Sequence, residues 1–118
     1  MLKMFGALLL AASLAACASP SAYSGNNGKT LLVSKEVWGF YKEYVGKISG
    51  VYKGIFVVGV SDGVAVTASA WYCPGASCLT ENYGKKAFDS CRSFGPELEC
   101  IQFANSGEIA VNYKVEGE

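Results

Sequence analysis

The first sixteen residues constrain this chain most, because they decide the compartment in which the rest folds. Met1-Leu2-Lys3-Met4 is a short positively charged start, residues 5–12 form an apolar run broken only by Gly6, and Ser13-Leu14-Ala15-Ala16 closes it with small side chains. That three-part layout is the signature of a secretory signal peptide. Residues 4–16 make up 13 positions, whereas a spanning helix needs about 20. A cleaved leader is therefore expected over residues 1–16, and not a transmembrane anchor. Its removal leaves 102 of the 118 residues, enough for one domain.

Leu14-Ala15-Ala16-Cys17 resembles the lipobox of bacterial lipoproteins: an aliphatic residue, two small residues, then a cysteine. The resemblance implies that Cys17 takes a diacylglycerol thioether, that cleavage falls just before it, and that the freed amine is acylated. A single acyl chain binds a membrane only marginally, while two or three, at about 0.8 kcal/mol per buried CH₂, hold firmly. Ala18, where an Asp would favour inner-membrane retention, implies by the same resemblance an anchor on the periplasmic face of a Gram-negative outer membrane. The alternative is an ordinary leader cut after Ala16 with Cys17 a bystander. Residues 17–28 are rich in Ser, Gly, Asn and Ala and carry no charge, so a flexible tether is expected over residues 17–30, with the folded domain at 31–118.

Cys73, Cys78, Cys91 and Cys100 remain, an even number in an exported chain, which points to two disulfides. Cys73 and Cys78 bracket the turn Pro74-Gly75-Ala76-Ser77, and Cys91 and Cys100 bracket a helix end and a strand start. The favoured pairing is Cys73–Cys78 with Cys91–Cys100; the runner-up is Cys73–Cys91 with Cys78–Cys100. A four-thiolate zinc site is the rival, but gaps of four, twelve and eight residues are not the paired C-x₂-C of zinc ribbons.

Ser34 can cap a helix that starts at Lys35-Glu36 and carries Val37, Trp38, Tyr41, Tyr44, Val45 and Ile48 on one stripe. Residues 53–61 and 64–72 read as strands around Asp62-Gly63, a tight-hairpin dipeptide. Thr80 can cap a second helix with Tyr83, Ala87, Phe88, Cys91 and Phe94 on its apolar face, stopped by Gly95-Pro96. Residues 99–104 and 108–115 read as two more strands joined by Asn105-Ser106-Gly107. The expected fold is α+β: a small antiparallel sheet of two hairpins packed with one or two helices and stapled by disulfides. Phe56-Val57-Val58-Gly59-Val60-Ser61-Asp62-Gly63, then Ala87-x-x-x-Cys91, then Cys100-Ile101-Gln102-Phe103-Ala104, resembles a small domain of exported proteobacterial proteins that has no assigned function. The resemblance implies no catalytic residues.

With no histidine, Ser-His-Asp and Cys-His catalysis, His-ligated metal and a histidine pH switch are excluded. Ten Lys plus Arg against ten Asp plus Glu leaves no basic footprint for nucleic acid. Glu97 and Glu99 read as a solvated rim, and Ser61 and Ser69 lack a base. No cofactor or metal is expected. Most aromatic residues belong to the core, but Phe40 falls off the helix stripe, and Trp71 and Tyr72 sit beside the cysteine loop; these three are the candidate binding surface. The chain therefore reads as a non-enzymatic envelope lipoprotein, a structural or interaction module with an envelope protein partner. The alternative is a ligand-binding or inhibitor module that engages an envelope enzyme or glycan through the loop from Trp71 to Cys78. Cys17→Ser is expected to abolish lipidation, releasing the protein from the membrane fraction with the mass of an unmodified chain. Retention at unchanged mass, read by fractionation and intact-mass spectrometry, contradicts the anchor.

Overall fold

The computed structural model describes residues 23–24, 28–51, 53–73, 75 and 83–117. The leader, Cys17, Cys78 and Thr80 lie outside the described residues. In chain order the elements are β1 (Leu31–Val33), α1 (Lys35–Ile48), β2 (Lys53–Ser61), β3 (Val64–Cys73), α2 (Tyr83–Arg92), β4 (Glu99–Asn105), β5 (Glu108–Ile109) and β6 (Tyr113–Val115). Among the described residues no helix is long and apolar enough to cross a membrane.

Local chemistry sets the punctuation. Ser34 is extended (φ −65°, ψ 155°), and its Oγ accepts the Val37 N–H at 3.2 Å, satisfying one of the open donors of α1. Both hairpins turn through left-handed pairs, Asp62 (φ 51°) with Gly63 (φ 79°) and Ser106 (φ 53°) with Gly107 (φ 85°). This turn suits the strand twist, and its second position costs least with glycine.

The sheet is not the antiparallel two-hairpin sheet that the pattern suggests. It has six strands in the order β5-β4-β2-β3-β1-β6. β2 pairs antiparallel with β3 and β4, and β4 with β5, but β1 is parallel to both β3 and β6. Two features hid this. β1 has three residues, too few to show a period, and parallel pairing depends on partners far away in sequence. The expected strand over residues 108–115 is in fact two: residues 110–112 carry the chain from one edge of the sheet to the other. Four Cα steps from Ile109 to Tyr113 reach at most about 14 Å, whereas six flat strands would set the edges about 24 Å apart. The sheet must curl, and hydrogen bonds seal the gap: Ala110 N–H donates to Phe103 O (2.9 Å), Asn112 N–H to Tyr23 O (2.7 Å), and Leu31 N–H to Asn112 O (2.9 Å). Phe103 of β4 and Tyr113 of β6 meet edge-to-face with centroids 5.5 Å apart, although their strands lie near opposite ends of the sheet order.

α1 lies in the concave face. Its Val37, Tyr41 and Tyr44 are buried against Phe56, Val58 and Val60 of β2 and Ile101, Phe103 and Ala104 of β4, while Trp38 and Ile48 are half-buried. Val45, placed on the same stripe by the sequence, is exposed. α2 lies on the convex face, where Ala87 and Cys91 pack on Ile55 and Val57. Phe94, expected on that helix face, is 54% exposed because the chain has already left α2. A register shift between Phe56 and Val57 leaves Phe103 as the extra residue of β4, so that Phe103 and Ala104 both join the concave core.

Cys91 and Cys100 are joined, with Cα atoms 6.1 Å apart, tying α2 to β4 across the convex face. Such a crosslink contributes about 2–4 kcal/mol. It excludes the Cys73–Cys91 and Cys78–Cys100 pairing. Cys73 is also disulfide-bonded; the proposed partner Cys78 lies outside the described residues. Beside the Cys91–Cys100 bridge, Gly59 has no room for a side chain: a Cβ there would come 2.5 Å from Thr67 Oγ1, 3.2 Å from Leu98 Cδ1 and 3.3 Å from Cys91 Sγ. Gly59→Ala is expected to cost about 1–3 kcal/mol by overpacking this contact. An unchanged midpoint in chemical denaturation refutes the close packing.

Candidate functional site

α1 does not fill the concave face. Beside β3, where the inward positions are the small Ala68 and Ala70, a groove of about 160 Å³ opens between helix and strand. Phe40, Glu43 and Lys47 of α1 form one wall, Phe56 contributes to the lining, and Tyr72 stands near the end of β3. Phe40 is 45% exposed. Lys47 Nζ lies 5.8 Å from the centroid of the Tyr72 ring.

Among the described residues, the outer edge of β3 is open along the same groove. β1 meets β3 only at Leu32↔Val64 and Val33↔Ala65. From Val66 to Tyr72 no strand lies on that side among the described residues, although β2 pairs the inner side as far as Cys73. Val66 is the extra residue of a register shift opposite Gly59 and Val60, and it marks where the paired edge gives way to the open one.

The three residues proposed as one surface are divided between two faces. Tyr72 sits opposite Gly54 and packs on the concave core, with its ring 6.0 Å from that of Tyr44. Phe40 shares its groove. Trp71 sits opposite Ile55 on the convex side, is 40% exposed, and lies 5.5 Å from Lys86 Nζ of α2. Successive residues of a strand point to opposite faces, so Trp71 and Tyr72 cannot form a joint patch. Of the loop from Trp71 to Cys78, residues 74 and 76–78 lie outside the described residues.

Sequence reasoning passed over the groove wall formed by Glu43 and Lys47 and the open backbone edge of β3. The uncharged run of small residues before Trp71 was their only sequence signal.

The remaining candidates offer little chemistry. Glu97 and Glu99 are exposed where the chain enters β4. Cys91 and Cys100 are consumed in their disulfide, which leaves no four-thiolate zinc set. Among the described residues no three Cys, Asp or Glu side chains gather as metal ligands. A second groove, of about 270 Å³, lies on the other flank of α1 between Lys35, Trp38 and Lys42 and the β6 residue Val115 with Glu116. Its Trp38 is stacked between Tyr41 (5.1 Å) and Tyr113 (5.5 Å) and belongs to the core wall.

No family model, curated protein or solved structure matches this chain.

The groove has an electrostatic signature. Burial, then the neighbouring Tyr44, then Glu43 push the Tyr72 phenol above its ordinary value. Burial, then Tyr44, then Tyr113 do the same for Tyr41. A raised phenol means that the fold favours the neutral form. This contribution to stability is complete below the ordinary tyrosine value of about 10 and is lost as pH rises through the folded values. Ultraviolet titration of the folded protein is expected to show late-ionising phenols, one of which disappears in Tyr72→Phe. A titration curve unchanged by that substitution contradicts the assignment.

Proposed function

We propose that this chain is a non-enzymatic interaction module of the bacterial envelope. It is carried on a lipid at Cys17 on the periplasmic face of the outer membrane, and it engages a protein through the groove between α1 and β3. The observation that carries the reading is the coincidence of two features that both ask for a partner. Phe40 stands exposed over a groove lined by Ala68, Ala70 and Tyr72, and the backbone edge of β3 is open beside it. An exposed apolar rim next to unpaired strand groups is the arrangement through which sheets accept an added strand. The chain has no histidine to serve as a base for Ser61 or Ser69.

A second reading keeps the cysteine loop as the contact surface for an envelope enzyme or glycan. Exposed Trp71 with Lys86 beside it favours this reading, because an aromatic face next to a cation suits a polar ligand. The two readings use opposite faces of the sheet and are therefore separable. With a photo-crosslinking residue placed at Phe40, at Trp71 or at Glu108 in intact cells, the groove reading expects a protein adduct from Phe40 alone. An adduct from Trp71 without one from Phe40 transfers the function to the convex face. No adduct from either position removes the interaction role.

A further inference from the structure

The groove reading leaves the partner unspecified, and the open edge of β3 narrows it. Residues Thr67-Ala68-Ser69-Ala70-Trp71-Tyr72 contain no charge and no proline, the usual devices by which an edge strand repels another strand. Their side chains alternate cleanly. Ala68, Ala70 and Tyr72 face the concave core, while Ser69 and Trp71, opposite Val57 and Ile55, lie on the convex side. On each face, then, one large aromatic ring is followed or preceded by a small side chain. Such a strand is complementary to itself when reversed. Antiparallel pairing places side chains of the same face opposite one another, so a two-fold axis must pass through a residue and not between two.

We propose that the partner is a second copy of this chain, paired antiparallel through β3 with Ala70 on the two-fold axis. This rests on the reading of the groove as an interaction site and names its occupant. With Ala70 opposite Ala70, Tyr72 of each copy lies opposite Ala68 of the other, and Trp71 opposite Ser69. Both aromatic rings thus meet small residues, and no like charges face each other along the strand. Tyr72 of the second copy comes to the Ala68 side of the groove, which Phe40 also lines. The two six-stranded sheets join into one, and the backbone donors and acceptors of both open edges are used at once. An isologous contact of this kind closes on itself and leaves no further β3 edge to propagate.

The test uses the chain purified in mild detergent. Directly opposed residues of an antiparallel pair have Cα atoms about 4.5–5.5 Å apart, within the span that a disulfide bridges. Under mild oxidation, Ala70→Cys is expected to give a covalent dimer on a non-reducing gel. Val66→Cys, more exposed than Ala70 but far from its own symmetry mate, is not. Light scattering is expected to report twice the mass of one chain for the unaltered protein. It should report a single chain for Ser69→Lys, with circular dichroism checking that this variant is folded. Should Ser69→Lys fail to fold, the cysteine pair still decides the matter. A monomer at all concentrations, a dimer without the Ala70→Cys crosslink, or equal crosslinking from Val66→Cys each overturns the pairing. A monomer that nevertheless yields a foreign protein adduct from Phe40 overturns self-pairing alone and leaves the interaction reading in place. A monomer with no adduct removes both.

Discussion

Burial of β2 on both of its faces is the constraint from which the rest of the structure follows. Phe56, Val58 and Val60 point into the concave side and Ile55 and Val57 into the convex side, and all five are essentially inaccessible to water. Covering a side chain of this size contributes about 1.5–3 kcal/mol, so neither face can be left to solvent. One helix serves each face: α1 brings Val37, Tyr41 and Tyr44 to the inside, and α2 brings Ala87 and Cys91 to the outside. The Cys91–Cys100 bridge then holds the outer helix to the strand next to β2. Gly59 is the point at which the close approach shows, since helix, disulfide and neighbouring strand leave no space for a methyl group.

The two helices place different demands on the sheet. α2 rests on a convex surface with a small apolar contact, whereas α1 carries a row of aromatic rings that a flat sheet would leave half in water. Curling solves this. Tyr41 is in ring contact with Trp38, Tyr44, Phe56 and Phe103, drawn from the helix itself, the central strand and β4. The phenol oxygens also anchor backbone: Tyr44 OH donates to Gly54 O at 2.8 Å and accepts Gly107 N–H at 3.1 Å, fixing the β4–β5 hairpin against the helix. The short crossing from β5 to β6 is possible only because the curl brings the two edges near each other. Among the described residues, what the curl does not cover is the outer side of β3 beyond Ala65, and there lie the groove and the open edge.

Much of this was legible in residue order. The Ser34 cap, the stripe Val37-Tyr41-Tyr44, the turns at Asp62-Gly63 and Ser106-Gly107, and the end of α2 before Gly95-Pro96 follow from local backbone and side-chain preferences that act over four or fewer residues. Less was legible at the site. Phe40 was marked by its position off the stripe, and it does stand exposed, but its groove partners Glu43 and Lys47 are ordinary charged helix residues until β3 is placed beside them. Trp71 and Tyr72 were grouped because they are neighbours in sequence, and strand alternation separates them.

The sequence by itself determined both helices, the strands β2, β3 and β4, the two hairpin turns and the pairing of β2 with β3, because these depend on contacts between near neighbours and on side-chain period. Only the tertiary structure decided that β1 joins the sheet in parallel, that the last strand breaks to reach the far edge, and that the open side of β3 faces a groove. Those outcomes depend on pairing between segments tens of residues apart, where each short strand is too brief to carry a pattern. The choice is made by how the curled sheet encloses the rings of α1.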